Sequence, residues 1–262
     1  MDFSVLTYNV LYNEAFLGLK QIIEEVHPDI LCLQEVDTSE VNLRAIEQYG
    51  YTLADYSNSF IKFHKIFGVA TFYNKKRVLF TDSTIVQLPR NIYEILSLII
   101  RVLRGKDIPR TVLNTEFMLI EKKQKFVIYN THLAVFETNG ARVRQLKKIL
   151  DFTDTHKKLP LLITGDLNYA PYQRKHLEKL MHKHGLREAT KSINYTFQTT
   201  RDGKFERFNF FQKIIVFIGR IFHTDRLKID YMFYKNLHLN KITRIEVRFS
   251  DHFPIIAQFE TN

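Results

Sequence analysis

The chain has 262 residues, 45% of them apolar and 22 of them Phe, which is enough for one large domain built around a sizeable interior. Its formal net charge of +10 favours polyanionic partners, nucleic acid or an anionic membrane surface, although the basic residues are scattered as on a solvated face. The lone cysteine, Cys32, excludes an internal disulfide, and no apolar run approaches the ~18 residues of a membrane span.

Residues 3–10 read as a first strand that ends in Asn9. Phe16, Leu19, Ile22, Ile23 and Val26 recur at helical spacing, and His27-Pro28 stops that helix. Residues 29–33 form a short apolar strand that holds Cys32 as a core residue and delivers Glu35 just past its end. Asp37-Thr38-Ser39-Glu40 resembles a capping box, starting a helix that runs to Tyr49 and stops at Gly50. Strands are expected over 68–73, 111–120 and 126–131, then a basic helix over 142–155 that buries Val143, Leu146, Ile149 and Leu150. A wholly apolar strand over 160–164 ends in the turn Gly165-Asp166, and a helix over 174–184 is closed by Gly185. The last strands are expected over 229–234 and 254–259. Asp2 stands where a signal peptide would carry positive charge, so a soluble cytoplasmic protein, peripheral to the membrane at most, is expected.

Two stretches, 91–106 and 204–222, are apolar over more than one face. They read either as elements packed on each other or as an exposed apolar pad rimmed with cations that dips into a bilayer, with Phe210, Phe211 and Phe217 as its membrane contacts. No linker or repeat divides the chain, so residues 1–262 are expected to form a single domain carrying these two insertions.

Short polar motifs stand at the edges of the apolar runs: Thr7-Tyr8-Asn9, Leu33-Gln34-Glu35-Val36, Thr131-His132-Leu133, Gly165-Asp166-Leu167-Asn168 and Ser250-Asp251-His252-Phe253-Pro254. Together they supply carboxylates, amides and histidines, the inventory needed to hold a hard cation and hydrolyse a phosphate ester. Glu35 suits Mg²⁺, which prefers oxygen ligands, and Asn9 can bind the metal or orient that carboxylate without adding charge. Asp166 can orient a water while Asn168 donates to the phosphate. His132 and His252 can donate to phosphate oxygens or move a proton, and Asp230 is the natural carboxylate to keep one of them protonated. Any one of these motifs also reads as an ordinary turn or cap; their order is what carries the chemistry.

In that order the set resembles the endonuclease/exonuclease/phosphatase superfamily, from Thr7-Tyr8-Asn9 to Ser250-Asp251-His252-Phe253-Pro254. The resemblance implies a four-layered α/β/β/α sandwich of two mixed β-sheets flanked by helices. It also implies metal-dependent hydrolysis by direct water attack, with Mg²⁺ as cofactor and Mn²⁺ as a substitute. Glu35 would be the principal metal ligand, with Asn9 beside it and Asp251 completing the shell. Asp166 would position or deprotonate the water, Asn168 would bind the scissile phosphate, and His132 would act as acid or phosphate contact. His252, oriented by Asp230, would contact phosphate in the transition state. Arg142 and Gln145 resemble an Arg-x-x-Gln substrate-binding element, and equally read as a plain helix surface. The apolar insertions tilt the expected substrate towards a lipid headgroup or amphiphilic phosphate at a membrane surface. A nuclease or repair enzyme is the alternative, and a non-catalytic lipid-binding protein is the reading of another class. No protein partner is implied.

Overall fold

A computed structural model describes residues 2–90, 110–134, 138–198 and 226–261. The stretches 91–106 and 204–222, with Phe210, Phe211 and Phe217, lie outside the described residues. In chain order the elements are β1 (Phe3–Asn9), α1 (Phe16–Val26), β2 (Ile30–Asp37), α2 (Glu40–Glu47), β3 (Thr52–Lys62), β4 (Lys65–Tyr73) and β5 (Val78–Gln87). There follow β6 (Thr111–Leu119), β7 (Lys125–His132), α3 (Asn139–Thr153), β8 (Leu161–Asp166) and α4 (Arg174–Lys183). The last are β9 (Arg187–Glu188), β10 (Phe197–Gln198), β11 (Arg226–Leu227), β12 (Asp230–Lys235), β13 (Leu237–Arg244) and β14 (Ile255–Thr261).

Twelve of the strands form two 6-stranded sheets, ordered β13-β14-β1-β2-β4-β3 and β5-β6-β7-β8-β12-β9, and β10 pairs with β11 in a separate 2-stranded sheet. Each larger sheet is mixed: β1 and β2 run parallel in the first, β7 and β8 in the second, and the remaining neighbours are antiparallel. Because successive side chains of a strand face opposite ways, the central strands must be apolar on both faces. In β1, Phe3 and Val5 point between the sheets, whereas Leu6 and Tyr8 meet α1 and α2. In β7, Phe126 and Ile128 point between the sheets, whereas Val127 and Tyr129 meet Leu146, Ile149 and Leu150 of α3 and Leu177 of α4. The result is the expected α/β/β/α sandwich. Phe3 stacks on Phe126 across the sheets with centroids 4.3 Å apart, and burying one such ring contributes about 1.5–3 kcal/mol.

Towards the carboxyl ends of the parallel pairs this middle layer turns from apolar to polar. Thr7, Gln34, Thr71, Asn130 and Thr164 are all buried there. The Gln34 amide donates to Asn130 Oδ1 at 2.8 Å and to Thr7 Oγ1 at 3.1 Å, and Asn130 Nδ2 donates to the Ala70 carbonyl at 3.0 Å. Asn130 belongs to the second sheet and Ala70 to the first, so this network ties the sheets together under the polar end. Buried polar groups are stable only when paired, which makes such a network a specific clamp.

Several expectations need correction. The helix after Asp37 starts at Glu40 with Ser39 as its N-cap, and the Ser39 side chain makes no capping bond. Asp37 is instead the last residue of β2, where it accepts from the Ser39 N–H at 3.1 Å and pairs with Lys65 at 2.9 Å. The helix α2 itself runs to Glu47, close to the expected end. The strand expected from Gly68 begins at Lys65, and the helix expected from Arg142 begins at Asn139, where Thr138 Oγ1 accepts from the Ala141 N–H. Among the described residues no helix is long and apolar enough to cross a membrane.

Candidate active site

Parallel pairing aligns carboxyl ends. Asn9 leaves β1 beside Gln34, His132 leaves β7 directly opposite Asp166 of β8, and Asp166 in turn faces Asp230, the first residue of β12. Gly165 permits that crowding: its φ is +130°, and a Cβ there would lie 2.0 Å from the Thr131 carbonyl oxygen. Glu35 sits at a bulge where β2 shifts register against β4, with φ +56°. The bulge interrupts strand alternation and re-aims one side chain, here the carboxylate, towards His132 Nε2. Asn168 also has positive φ, +48°; strain of this kind concentrates at functional sites.

The expected site residues converge. Asn9 Nδ2 donates to Asp166 Oδ2 at 3.1 Å, while Asn9 Oδ1 accepts from the Leu11 N–H at 3.0 Å. Asp166 Oδ1 accepts from the Asn168 N–H at 2.9 Å. His252 Nδ1 donates to Asp230 Oδ2 at 2.8 Å, which turns Nε2 to within 3.7 Å of Asp166 Oδ2. His132 Nε2 stands 3.5 Å from the same Asp166 oxygen and 3.8 Å from Glu35 Oε1. Asn168 Nδ2 uses one N–H on the Leu133 carbonyl at 3.2 Å. Asp251 is at the margin: its carboxylate accepts from Ser250 Oγ at 3.2 Å, and its charge acts on Glu35 and His252.

Burial sets the charges. Desolvation raises the Glu35 carboxyl, opposed by His252 and reinforced by Asp251. Desolvation likewise raises Asp166, with Asp230 and Glu35 adding to it against His252. For His252 burial alone would lower the imidazole, but Asp230 and Asp166 overcome it and hold the ring protonated, well above its ordinary value. His132 goes the other way: burial, Arg110 and His252 hold it well below the ordinary value, as a neutral ring.

Glu35 Oε2 and both ring nitrogens of His132 are buried without a hydrogen-bond partner. An orphaned carboxylate oxygen beside an amide oxygen-bearing side chain is an oxygen-rich donor set, which fits a hard divalent cation. Asp166, Asp230 and His252 also bring ligand atoms within 4.8 Å of one another, a spacing that can hold a metal ion. In that second group Asp230 Oδ2 already receives His252 Nδ1 at 2.8 Å and Thr196 Oγ1 at 2.6 Å. Glu35 Oε2 has no such partner, so Glu35 is the better anchor.

Arg142 and Gln145 are buried rather than on a helix surface. Arg142 Nε donates to the Ala134 carbonyl at 3.0 Å, and Gln145 receives the Ala134 N–H at 3.3 Å and donates to the Pro89 carbonyl at 3.4 Å. Both hold the chain just past His132. Sequence reasoning missed Thr196, whose hydroxyl receives the N–H groups of Ile229 and Asp230 at 3.1 and 2.9 Å and donates to the Asp230 carboxylate. It also missed Arg110, Tyr12 and Lys62 at the rim, whose charges or rings act on His132 and Glu35. A lone Thr in a loop carries no sequence signal; Arg110 had one, a cation opening the strand after an insertion.

A family model described as the Endonuclease/Exonuclease/phosphatase family matches residues 6–252. Among solved structures, the human nocturnin catalytic domain with bound sulfate anion is similar over 99% of this chain and 93% of that one, with a TM-score of 0.71 and 19% identity. A mannosyl-6-phosphatase of Bacteroides thetaiotaomicron VPI-5482 is similar over 98% and 99%, with a TM-score of 0.69 and 18% identity. TDP2 of D. rerio, complexed with single strand DNA product, is similar over 99% of both chains, with a TM-score of 0.67 and 15% identity. At these identities the likeness is one of fold. Among curated proteins none matches.

Proposed function

The chain belongs to the Endonuclease/Exonuclease/phosphatase family, and on that footing we propose that it hydrolyses a phosphate ester by direct attack of water, with Mg²⁺ as cofactor and Mn²⁺ as a substitute. The observation that carries this reading is the convergence of Asp166 with a protonated His252 on one flank and the orphaned Glu35 and His132 on the other. Neighbours of the same fold include a phosphatase and a protein complexed with a DNA product, which agrees with phosphoester chemistry.

Glu35 and Asn9, with Asp251 beside them, would hold the cation, which when bound supplies Lewis-acid polarisation of a phosphate oxygen. Asp166, raised by burial, accepts a proton from the attacking water near neutral pH, and Asn9 and the Asn168 N–H fix its carboxylate for that task. His252 presents a charged N–H to the phosphate as negative charge develops, while Asp230 keeps that proton on the ring. His132, neutral, contributes a phosphate contact rather than a strong acid. The second N–H of Asn168 Nδ2 serves the phosphate. Arg142 and Gln145 act as positioning residues for the segment that carries His132.

A membrane-apposed lipid substrate rests on residues 91–106 and 204–222, which lie outside the described residues, so it enters only as one arm of the test. Wild type and Asp166→Asn are compared for Mg²⁺-dependent hydrolysis of DNA, an abasic duplex, RNA, sphingomyelin, phosphoinositides and bis(4-nitrophenyl) phosphate. Chelator-sensitive turnover of at least one substrate is expected, reduced about 10²–10⁴-fold in the variant, as for loss of a general base. Turnover that survives in Asp166→Asn rejects the role given to Asp166, and no turnover of any substrate rejects the hydrolase reading and leaves a binding protein.

A further inference from the structure

One wall of the site is built of aromatic rings and cations that the chemistry above does not use. The Phe60 ring meets His132 edge-on with centroids 5.9 Å apart, and Tyr12 links Phe60 at 6.1 Å to Phe63 at 5.8 Å. The wall therefore runs outward from His132 to Phe63, which is 69% exposed. Lys62 Nζ lies 3.9 Å from the centroid of the Tyr12 ring and 5.0 Å from that of Phe63. Rings of this kind hold an ammonium through their negative faces without neutralising it, as a carboxylate would. The charge of Lys62 is felt at Glu35, where it opposes the effect of burial.

The framework under Lys62 is fixed. Leu11, Tyr12 and Asn13 have φ values of +48°, +56° and +66°, an unusual left-handed run. The run is held at one end by Asn9 Oδ1, which receives the Leu11 N–H at 3.0 Å, and at the other by Asn13 Oδ1, which receives the Asp37 N–H at 3.0 Å. The same Asn9 amide that steadies Asp166 thus sets Tyr12. Opposite it, β3 and β4 stay paired as far as Lys62 and Lys65, leaving Phe63-His64 as the turn, with φ +51° and +59°. Two positive φ values suit a tight two-residue hairpin, where Asn-Gly is the easy choice. A bulky Phe in that conformation is strained, and strain of this kind persists where function retains it. The second cation of the wall, Arg110, lies 5.4 Å from the Phe60 centroid and donates to the His132 carbonyl at 3.3 Å.

We propose that this hairpin, with Tyr12 beneath it, is a second anion subsite in which Lys62 receives a negatively charged group of the substrate beyond the phosphate at Glu35. The ester favoured by this site carries two anionic groups, one to be cleaved and one to be held. This rests on the reading that the scissile phosphate sits beside Glu35 and Asp166. A nucleotide with a second phosphate and a non-nucleotide bisphosphate share the required chemistry, and Phe63 adds a ring face that suits the former.

The test is calorimetric binding with Mg²⁺ present, in the Asp166→Asn background so that no ligand is consumed. Adenosine 3′,5′-bisphosphate is compared with adenosine 5′-monophosphate, and fructose 1,6-bisphosphate with fructose 6-phosphate. Each bisphosphate is expected to bind about tenfold more tightly than its monophosphate, the worth of one charge contact at a partly desolvated site. Lys62→Gln removes that advantage and Lys62→Arg retains it. An advantage confined to the adenosine pair assigns the subsite to nucleotides, and one common to both pairs assigns it to the second phosphate alone. Equal binding of mono- and bisphosphates, equal weakening of both by Lys62→Gln, or no binding at all overturns the proposal. Because binding is read without turnover, a wild type that hydrolyses nothing refutes the hydrolase reading separately.

Discussion

His252 and His132 stand on opposite flanks of Asp166, with their Nε2 atoms 3.7 and 3.5 Å from the same carboxylate oxygen, yet their surroundings differ in kind. The His252 flank is complete. Its Nδ1 is anchored on Asp230, Thr196 braces Asp230, and Phe253 N donates to the Thr196 carbonyl at 2.7 Å, so ring, carboxylate and loop form one connected unit. The His132 flank is open: neither ring nitrogen has a hydrogen-bond partner, nor has Glu35 Oε2. A folded chain rarely leaves several buried polar atoms unsatisfied side by side, since each costs about 1–3 kcal/mol. The contrast teaches where the protein is self-sufficient and where it is built around something it binds.

The largest effect is expected from breaking the open flank. Glu35→Gln should lower turnover by about 10³-fold or more, because Lewis-acid stabilisation is worth several kcal/mol. The same residue leaves a mark on stability that does not depend on turnover. Glu35 and Asp166 both bind a proton more tightly in the folded than in the unfolded chain. Their contribution is therefore fully present below the unfolded carboxyl value of about 4 and is lost as pH rises through the raised folded values. Thermal melting in chelator should show this contribution falling between about pH 4 and about pH 7, the raised value of Asp166, with Mg²⁺ restoring it in wild type. Glu35→Gln should flatten the fall and abolish the Mg²⁺ effect; an unchanged Mg²⁺ shift in the variant would move the cation to Asp166, Asp230 and His252.

The closed flank yields a smaller loss with a different signature. Asp230→Asn should cost about 10²-fold, within the usual range for a general acid–base partner. Burial lowers His252 and the Asp230 charge raises it, so removing that charge lets the imidazole deprotonate at lower pH. The deficit should grow on the alkaline side, moving that limb of the pH–rate profile to lower pH. Equal loss at all pH values would mean that Asp230 acts through position alone.

The same division between central and peripheral strands decides what was legible in the sequence. Asn9, His132, Asp166 and Asp230 stand out because each ends or opens a strand buried on both faces, and Glu35 because it follows the apolar run of another. Of the strands that were missed, β3, β5, β9 and β13 are sheet edges, and the short β10 and β11 pair only with each other. Their outer positions are exposed or half-exposed, and polar residues such as Asp55, Asp82 and Lys241 break up the apolar signal there. With β3 went Lys62 and Phe60, so the aromatic wall could not be seen. Thr196 is positioned by contacts with Ile229 and Asp230, far along the chain, which local pattern does not encode. The Asp37 capping box failed for a related reason: Lys65, 28 residues later, engages the carboxylate.

Thr196 offers the finest test of whether the closed flank works as a unit. Its hydroxyl accepts the N–H groups of Ile229 and Asp230 and donates to Asp230 Oδ2 at 2.6 Å, while its backbone carbonyl receives Phe253 N. Thr196→Val keeps the shape and the backbone contact but strips the carboxylate of a donor and two N–H groups of their acceptor. A loss of about 1–3 kcal/mol in stability follows from leaving such groups unpaired. If Asp230 then swings by a fraction of an ångström, His252 is misdirected, and kcat should fall about tenfold with little change in KM, as when an interaction made only in the transition state weakens. Thr196→Ser retains the hydroxyl and should recover kcat even where it does not recover all the stability. A Val variant that is less stable yet turns over like wild type would show that Asp230 holds His252 without this brace, and the closed flank would reduce to a pair.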